Sequence, residues 1–139
     1  MHVPESRAVH AIPIQTELRE QMVDVTELVE AAVRELGVVE GAVLLHVPHT
    51  TAAVTVNEGY DPDVARDLLD VLQRLAPRDA GYRHAEGNSD AHAKALLTGG
   101  AQVLPVEAGR LVLGRWQRVF FCEFDGPRRR RLWVSSVAG

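Results

Sequence analysis

The period of the apolar residues changes along this chain, and the order of those changes restricts the fold more than any other feature. Residues 8–16, Ala-Val-His-Ala-Ile-Pro-Ile-Gln-Thr, alternate as a strand does, and Pro13 favours an edge position because it cannot donate to a ladder. Over residues 24–36 the period becomes helical, with Val25, Leu28, Val29, Ala32, Val33 and Leu36 on one face. Asp24 and Glu27 predict an Asp-x-x-Glu capping box at its start, and Gly37 is placed as the residue just past its end. Two β-rich runs follow, 42–48 and 52–56, with His49-Thr50-Thr51 between them. Asp61-Pro62-Asp63 predict a second helix start, a cap followed by Pro in the first turn. That helix carries Val64, Leu68, Val71, Leu72 and Leu75 and stops at Pro77. After a polar loop over 77–87, a short helix runs from about Ser89 to Leu97 and ends at Gly99-Gly100. Four strands close the chain, near 101–106, 110–114, 117–124 and 131–137, with Glu107-Ala-Gly109 and Asp125-Gly126-Pro127 as hairpin turns. This order lacks uninterrupted βαβ alternation, and it predicts an α+β fold, mainly antiparallel, with helices packed on the sheet. Neither GxGxxG nor a P-loop sequence is present.

A length of 139 residues fits one domain, 1–139, with a real core, and a hydrophobic fraction of 46% argues against disorder. No apolar run approaches the ~20 residues of a membrane-spanning helix, so no membrane partner is expected. Met1–Arg7 lacks the basic-then-apolar pattern of a secretion signal, and the single Cys122 cannot form an internal disulfide, so the expected home is the cytoplasm. The net charge of -4 argues against nucleic-acid binding. Charge is unevenly spread, however. Residues 105–139 hold seven Arg against Glu107, Glu123 and Asp125, whereas residues 1–104 hold eight basic and sixteen acidic residues. The run Arg128 to Arg131 reads either as a solvated turn or as an attractor for a small anion such as phosphate.

The chemistry-bearing residues cluster in three places. His2 and His10 lie near the terminus and read as incidental, and His46 reads as a half-buried sheet residue. His49 differs, because it ends a strand at a Pro-His-Thr-Thr turn where a rigid scaffold can aim it into a pocket, with Thr50 and Thr51 hydroxyls beside it. His84 and His92 bracket a loop-to-helix junction, with Asn88 at or beside the N-cap and four residues before His92. A helix start is a natural anion site. Two readings of these His stand. In one, His84 and His92 join His49 or a carboxylate as ligands of a metal such as zinc, although the spacing matches no compact zinc signature. In the other, they bind a phosphate or act as acid and base near neutral pH. Asn57-Glu58 offers a further carboxylate, while Asp61 and Asp63 suit the cap and the dipole of the helix that follows. In the strand after Trp116, alternation sets Gln117, Val119, Phe121 and Glu123 on one face and Arg118, Phe120, Cys122 and Phe124 on the other. A buried Glu123 must be paired, metal-bound or protonated, and Arg128 across the turn is the expected partner. Cys122 reads as core. No nucleophile elbow or serine triad is visible, so polar binding with acid–base or metal assistance is favoured over covalent catalysis.

His49-Thr50-Thr51-Ala52, Asn57-Glu58, Asp61-Pro62-Asp63, His84, Gly87-Asn88-Ser89-Asp90-Ala91-His92, Leu111-Val-Leu-Gly114-Arg-Trp116-Gln117 and Glu123-Phe-Asp-Gly126-Pro127-Arg128, taken together, resemble the YjbQ family. Its members are often labelled secondary thiamine-phosphate synthase. The resemblance runs from about residue 8 to residue 138. It implies an α+β domain of about seven mainly antiparallel strands in two sheets with two main helices, ordered ββ-α-ββ-α-βββ, assembled as a homotrimer. The second strand then falls near Leu18–Val23, in a hairpin with the first. The implied activity joins a pyrimidine pyrophosphate to a thiazole phosphate, giving thiamine phosphate and pyrophosphate. The alternative is a noncatalytic metabolite-binding or regulatory trimer. The implied site comprises His49, Thr50, Asn57, Glu58, His84, Asn88, His92, Trp116, Gln117, Glu123 and Arg128. His49, His84 and His92 are its metal ligands or acid–base groups, Glu123 their partner carboxylate, and zinc or magnesium the expected divalent ion. One departure stands out. The family usually has Gly-Thr-Trp-Gln where this chain has Gly114-Arg115-Trp116-Gln117. If the Thr position meets a ligand, Arg115 changes specificity.

Overall fold

A computed structural model of the chain describes residues 9–137; the segment before Val9, His2 included, and the last two residues lie outside the described residues. The elements run β1 (Val9–Gln15), β2 (Gln21–Asp24), α1 (Thr26–Leu36), β3 (Gly41–His46), β4 (Ala52–Glu58), α2 (Pro62–Leu75), α3 (Ser89–Thr98), β5 (Ala101–Glu107), β6 (Arg110–Leu111), β7 (Gln117–Glu123) and β8 (Arg129–Val137). The fold is α+β, with two antiparallel sheets ordered β1-β8-β3-β5-β6 and β2-β7-β4. Relative to the order that the resemblance implies, it adds the short helix α3 and the two-residue strand β6, both of which the residue pattern predicts, the strand being shorter than 110–114. Pro13 lies on the edge strand β1, opposite Arg131, where its missing N–H disturbs no ladder.

Two expected hairpins do not form. β2 pairs with β7, Met22 opposite Cys122, and not with β1. Asp125-Gly126-Pro127, with a cis Gly126–Pro127 bond, joins strands of different sheets. β3 and β4 are likewise divided between the sheets. A short connection between two strands looks alike in sequence whether it turns back or crosses over, and only tertiary packing separates the cases. The Glu107-Ala108-Gly109 turn is a true hairpin: φ is 51° at Ala108 and 74° at Gly109, the left-handed pair that matches strand twist.

The core explains the sequence periods. β1, β3 and β8 send Ile12, Ile14, Val43, Leu45, Leu132 and Val134 against the apolar face of α1 and one face of the smaller sheet. β7 is apolar on both sides because both sides are covered. Val119 and Phe121 join that core, while Phe120, Cys122 and Phe124 pack with Ala91 and Ala95 of α3. The alternation expected along this strand is what the structure shows, and Cys122 is buried core.

Helix starts are less legible. Gly37 closes α1 in the left-handed conformation (φ 71°) as expected. The capping box does not form. Asp24 accepts from the Thr26 N–H and hydroxyl, and Glu27 swings out to the Arg118 guanidinium instead of returning to the backbone. Thr26 then acts as an extra rung, its hydroxyl accepting the Val119 N–H at 2.8 Å. α2 is capped by Asp61 with Pro62 in its first turn, as expected. Its apolar stripe is another matter. No α2 residue is buried; only Leu69 and Leu72 touch the outer core, and Leu75 is 67% exposed. Periodicity fixes which face is apolar but not whether the same chain covers it.

The expected Glu123–Arg128 pair is also replaced. Glu123, fully buried, accepts a fork from Arg130: Nε donates to Oε2 at 2.7 Å and Nη2 to Oε1. It also accepts the Thr16 hydroxyl at 2.9 Å and the Asp125 N–H at 2.9 Å. Arg128 pairs with Asp125. Arg130 wins because it lies two residues before Leu132 on the inward face of β8, whereas Arg128 is still in the exposed turn. A second buried ionic knot ties α3 to the β1–β2 connection. Asp90 takes both Arg19 nitrogens and Lys94, whose ammonium also meets Gln73 at 2.7 Å and Glu20 at 2.7 Å.

Burial alone would raise the Glu123 and Asp90 pKa values, but Arg130 for the first, and Arg19 with Lys94 for the second, hold both below the ordinary carboxylate range. Each carboxylate therefore stabilises the fold at pH values above its unfolded pKa, and that contribution is lost as pH falls through the lower folded value. We expect the part of the stability that these carboxylates carry, read from urea midpoints compared between the wild type and Glu123→Gln, to be flat from neutral pH down to about 4.5 and then to fall. Glu123→Gln leaves Arg130 buried without its partner and should remove about 3–5 kcal/mol at pH 7, with a shallower acid slope. An unchanged midpoint would show that the fork does not hold the sheets together.

Candidate functional site

Three connections cross between the sheets at the same end of the molecule: residues 16–20, 47–51 and 124–128. α3 begins beside them. The side chains they present form an open cleft of about 360 Å³ lined by His49, Thr50, Thr51, Asn88, His92 and Arg130, with Glu86, Asp125 and Arg128 at its edge. An adjoining groove of about 490 Å³ shares His49 and Arg130 and adds Arg129 and Arg131.

His49 is held by the sheet. β3 leaves the ladder at His46, opposite Trp133, and two positions along β8 the Arg131 N–H donates to His49 Nε2 at 2.9 Å. The imidazole thus takes the place of a strand carbonyl. An accepting Nε2 is unprotonated, which puts the proton on Nδ1. Burial and then the nearby Arg130 charge hold its pKa below the ordinary 6.5, so it is neutral at pH 7.

Arg130 is not among the expected site residues, although the Arg130, Leu132, Val134 alternation points it inward. Its Nε and Nη2 are committed to Glu123 and to the Thr51 hydroxyl at 2.8 Å. Nη1 has no partner among the described residues. Arg130 answers Glu123 and Arg128 answers Asp125, while Glu86 meets only His84, so the cleft carries no excess of positive formal charge. Arg129 and Arg131 form no ion pair among the described residues, so the uncompensated cations sit in the adjoining groove.

Asn88 stands at the N-cap position of α3, yet its side chain makes no cap bond and instead donates to Asp125 Oδ2 at 2.8 Å. His92 lies one turn on. Its ring meets His84 edge-on, centroids 5.7 Å apart, and the exposed His84 lies 3.7 Å from Glu86. The structure therefore gathers His49, Thr50, Asn88, His92 and Arg128 about one cleft, with His84 at the rim. Glu123 lies beneath it, its bonds going to Arg130, Thr16 and Asp125 and not to an imidazole.

The remaining residues of the expected site lie elsewhere. Ala52 faces Glu123 at one end of the β4–β7 ladder and Glu58 faces Gln117 at the other, about 20 Å away at a strand's rise. There Asn57 accepts the Glu58 N–H, Glu58 accepts the Tyr60 and Asp61 N–H groups, and Gln117 accepts the Gly114 N–H. Trp116 packs on Tyr60 at 5.0 Å with Arg115 over its other side at 4.7 Å. Within one chain, Asn57, Glu58, Trp116 and Gln117 shape a turn and do not line the cleft. Arg115 is an exposed cover for Trp116.

The three-histidine metal reading was tested on this geometry. Among the described residues no group of three His, Cys, Asp or Glu side chains converges on a point where an ion could sit. His84 and His92 touch, but the Nε2 of His49 is occupied by Arg131. One chain's residues do not fit that site, and no chemistry is routed through an ion.

The model of the UPF0047 protein YjbQ-like family matches residues 10–139. This chain belongs to that family. It is 44% identical to the UPF0047 protein MJ1081 of Methanocaldococcus jannaschii over 89% of this chain and 90% of that protein. To the UPF0047 protein YugU of Bacillus subtilis it is 46% identical over 91% and 96%. Among solved structures, an uncharacterized YjbQ/UPF0047 protein of Clostridium acetobutylicum superposes with a TM-score of 0.89 at 45% identity, over 92% of this chain and 99% of that one. The conserved hypothetical protein TT1486 of Thermus thermophilus gives 0.86 at 51% identity, over 92% and 99%. The YjbQ-like fold thus spans the chain, including the cleft and the Trp116 turn.

A neutral His49 has a directional consequence. Its folded pKa is depressed, so protonation favours unfolding, and the stability it contributes is present above about pH 6.5 and lost as pH falls below it. NMR titration should place its midpoint below 6.5, with the neutral ring protonated on Nδ1. A midpoint at or above 6.5 would overturn the assignment.

Proposed function

We propose that this chain binds a phosphorylated small molecule in the cleft around His49, with the phosphoryl group held by Arg130 Nη1 and drawn in by Arg129 and Arg131. The observation that carries the reading is Arg130 itself: a guanidinium locked by Glu123 and Thr51, with Nη1 unpartnered among the described residues, on a residue that lines the cleft together with a neutral imidazole. A donor fixed in this way loses little freedom on binding an oxyanion. The start of α3 adds a favourable dipole for an anion.

The reaction in this reading is the one its family resemblance implies, thiamine-phosphate synthesis from a pyrimidine pyrophosphate and a thiazole phosphate. His49, neutral at pH 7, accepts or relays a proton, and His92 with His84 flanks the opposite side. Arg130 stabilises charge on the phosphoryl oxygens. The second reading is a noncatalytic metabolite sensor using the same cleft; it draws support from Cys122, whose thiol burial pushes up to about 12, out of the range of an activated nucleophile. The proposal includes a homotrimer, supported by the exposed Val71 and Leu75 and the half-exposed Leu68 on α2.

Calorimetric titration with inorganic phosphate should show one saturable site, weakened severalfold in Arg129→Gln and Arg131→Gln and by rising salt. No binding tighter than about 10 mM would remove the phosphate reading. If phosphate binds, turnover of the two thiamine precursors decides between the readings. Loss in both His49→Ala and His84→Ala supports the enzyme; wild-type rates in both sink the acid–base roles, and no turnover in any form leaves the sensor. Sedimentation should give three times the chain mass, and Val71→Asp with Leu75→Asp should reduce it to one.

A further inference from the structure

We propose that the slot between α2 and the outer face of the small sheet binds an uncharged molecule about the size of one aromatic ring. The slot shares no lining residue with the His49 cleft, and the proposal does not depend on the phosphate reading.

Two apolar surfaces face each other here without closing. From the small sheet come Met22 on β2, Cys122 opposite it on β7, and Phe124 just beyond. From α2 come Leu68, Leu69, Val71 and Leu72. A helix free to settle presses such a stripe onto the sheet, since burial of that face is its main source of stability. α2 does not, and none of its residues is buried. Both of its ends are pinned by polar contacts. At the start, Glu58 accepts the Asp61 N–H at 2.9 Å and Asp61 accepts the Asp63 N–H at 2.9 Å, which ties the first turn to the end of β4. Near the other end, Gln73 accepts from the Lys94 ammonium at 2.7 Å, and Lys94 is itself fully buried in the ionic knot. The two pins hold the helix off the sheet, and a cavity of about 160 Å³ remains between them.

Size and lining define the occupant. An apolar cavity of about 150 Å³ in a protein core stays dry and takes up benzene. The slot is of that size, whereas a helix with its side chains is about 10 Å across and cannot enter. Every residue lining the slot is uncharged, so an ion entering it loses water and gains no opposite charge. Thr55, Asn57 and Thr98 supply hydroxyl and amide groups for one polar atom. Met22, unbranched, can adjust to the outline of the guest. The ligand class is therefore a neutral monocyclic aromatic or short branched alkyl compound with at most one hydroxyl or carbonyl group.

The probe is benzyl alcohol, with benzoate and benzylammonium as charged counterparts of similar shape, at pH 7. Methyl-resolved NMR should show saturable shifts at Met22, Leu68, Leu69 and Leu72, with a Kd below about 1 mM for benzyl alcohol. Both ions should bind at least about tenfold more weakly. Thr55→Phe, at a half-exposed position, fills the slot and should abolish the shifts; Thr98→Phe replaces it if the first variant does not fold. The location of the shifts and the ranking of the three probes are read on the wild type and need no variant. No saturable shift at about 10 mM, which is also what a second copy's side chain filling the slot would produce, overturns the proposal. So does comparable binding of the ions, competition by inorganic phosphate, or binding that persists in a folded variant.

Discussion

The fork between Arg130 and Glu123 is the contact on which the two-sheet arrangement turns. Glu123 ends β7 in the small sheet, and Arg130 opens β8 in the large one. Thr16, at the end of β1, donates to the same carboxylate, and Thr51, before β4, accepts from the same guanidinium. All three sheet crossings are thus fastened to one buried ion pair. Replacing such a pair by apolar residues of equal volume often leaves stability unchanged or improved. What an apolar replacement cannot do is aim. The fork fixes the plane of Arg130, and with it the position of Nη1, which has no partner among the described residues.

The double-sided burial of β7 has a second effect. One face holds the core shared with α1, and the other holds α3 through Ala91 and Ala95. Packing on that outer face brings the start of α3 beside the sheet crossings, where the Asp90–Arg19–Lys94 knot anchors it. Asn88 and His92 are therefore placed by a rigid element and not by the loop before it. His84, on that loop, reaches the site only through His92.

The sequence disclosed the elements better than their partners. The helical stripe of α1, the Asp61-Pro62 start of α2, the edge position of Pro13 and the alternation of β7 all follow from local periodicity or backbone chemistry, and all are found. The connections failed where local signals are ambiguous: residues 16–20 and 124–128 carry turn residues, yet each crosses between sheets. Glu123 was correctly marked as a carboxylate needing a partner, but proximity suggested Arg128. The alternation of β8 would have chosen Arg130. The split of the expected site has a similar origin. Asn57, Glu58, Trp116 and Gln117 are near His49 and Glu123 in sequence, but a strand separates its ends by its full length.

Under the phosphate proposal, the charge within the cleft bears on how an anion would be recognised. Glu123 and Asp125 each already have their Arg, His49 is neutral and Glu86 adds a carboxylate, so no net positive charge remains inside to attract a phosphate from a distance. Long-range attraction falls to Arg129 and Arg131, exposed in the adjoining groove, where salt screens them over about 8 Å at physiological ionic strength. In that proposal short-range holding would fall to the Arg130 guanidinium, which Glu123 and Thr51 fix in place. Attraction and holding would thereby be assigned to different residues.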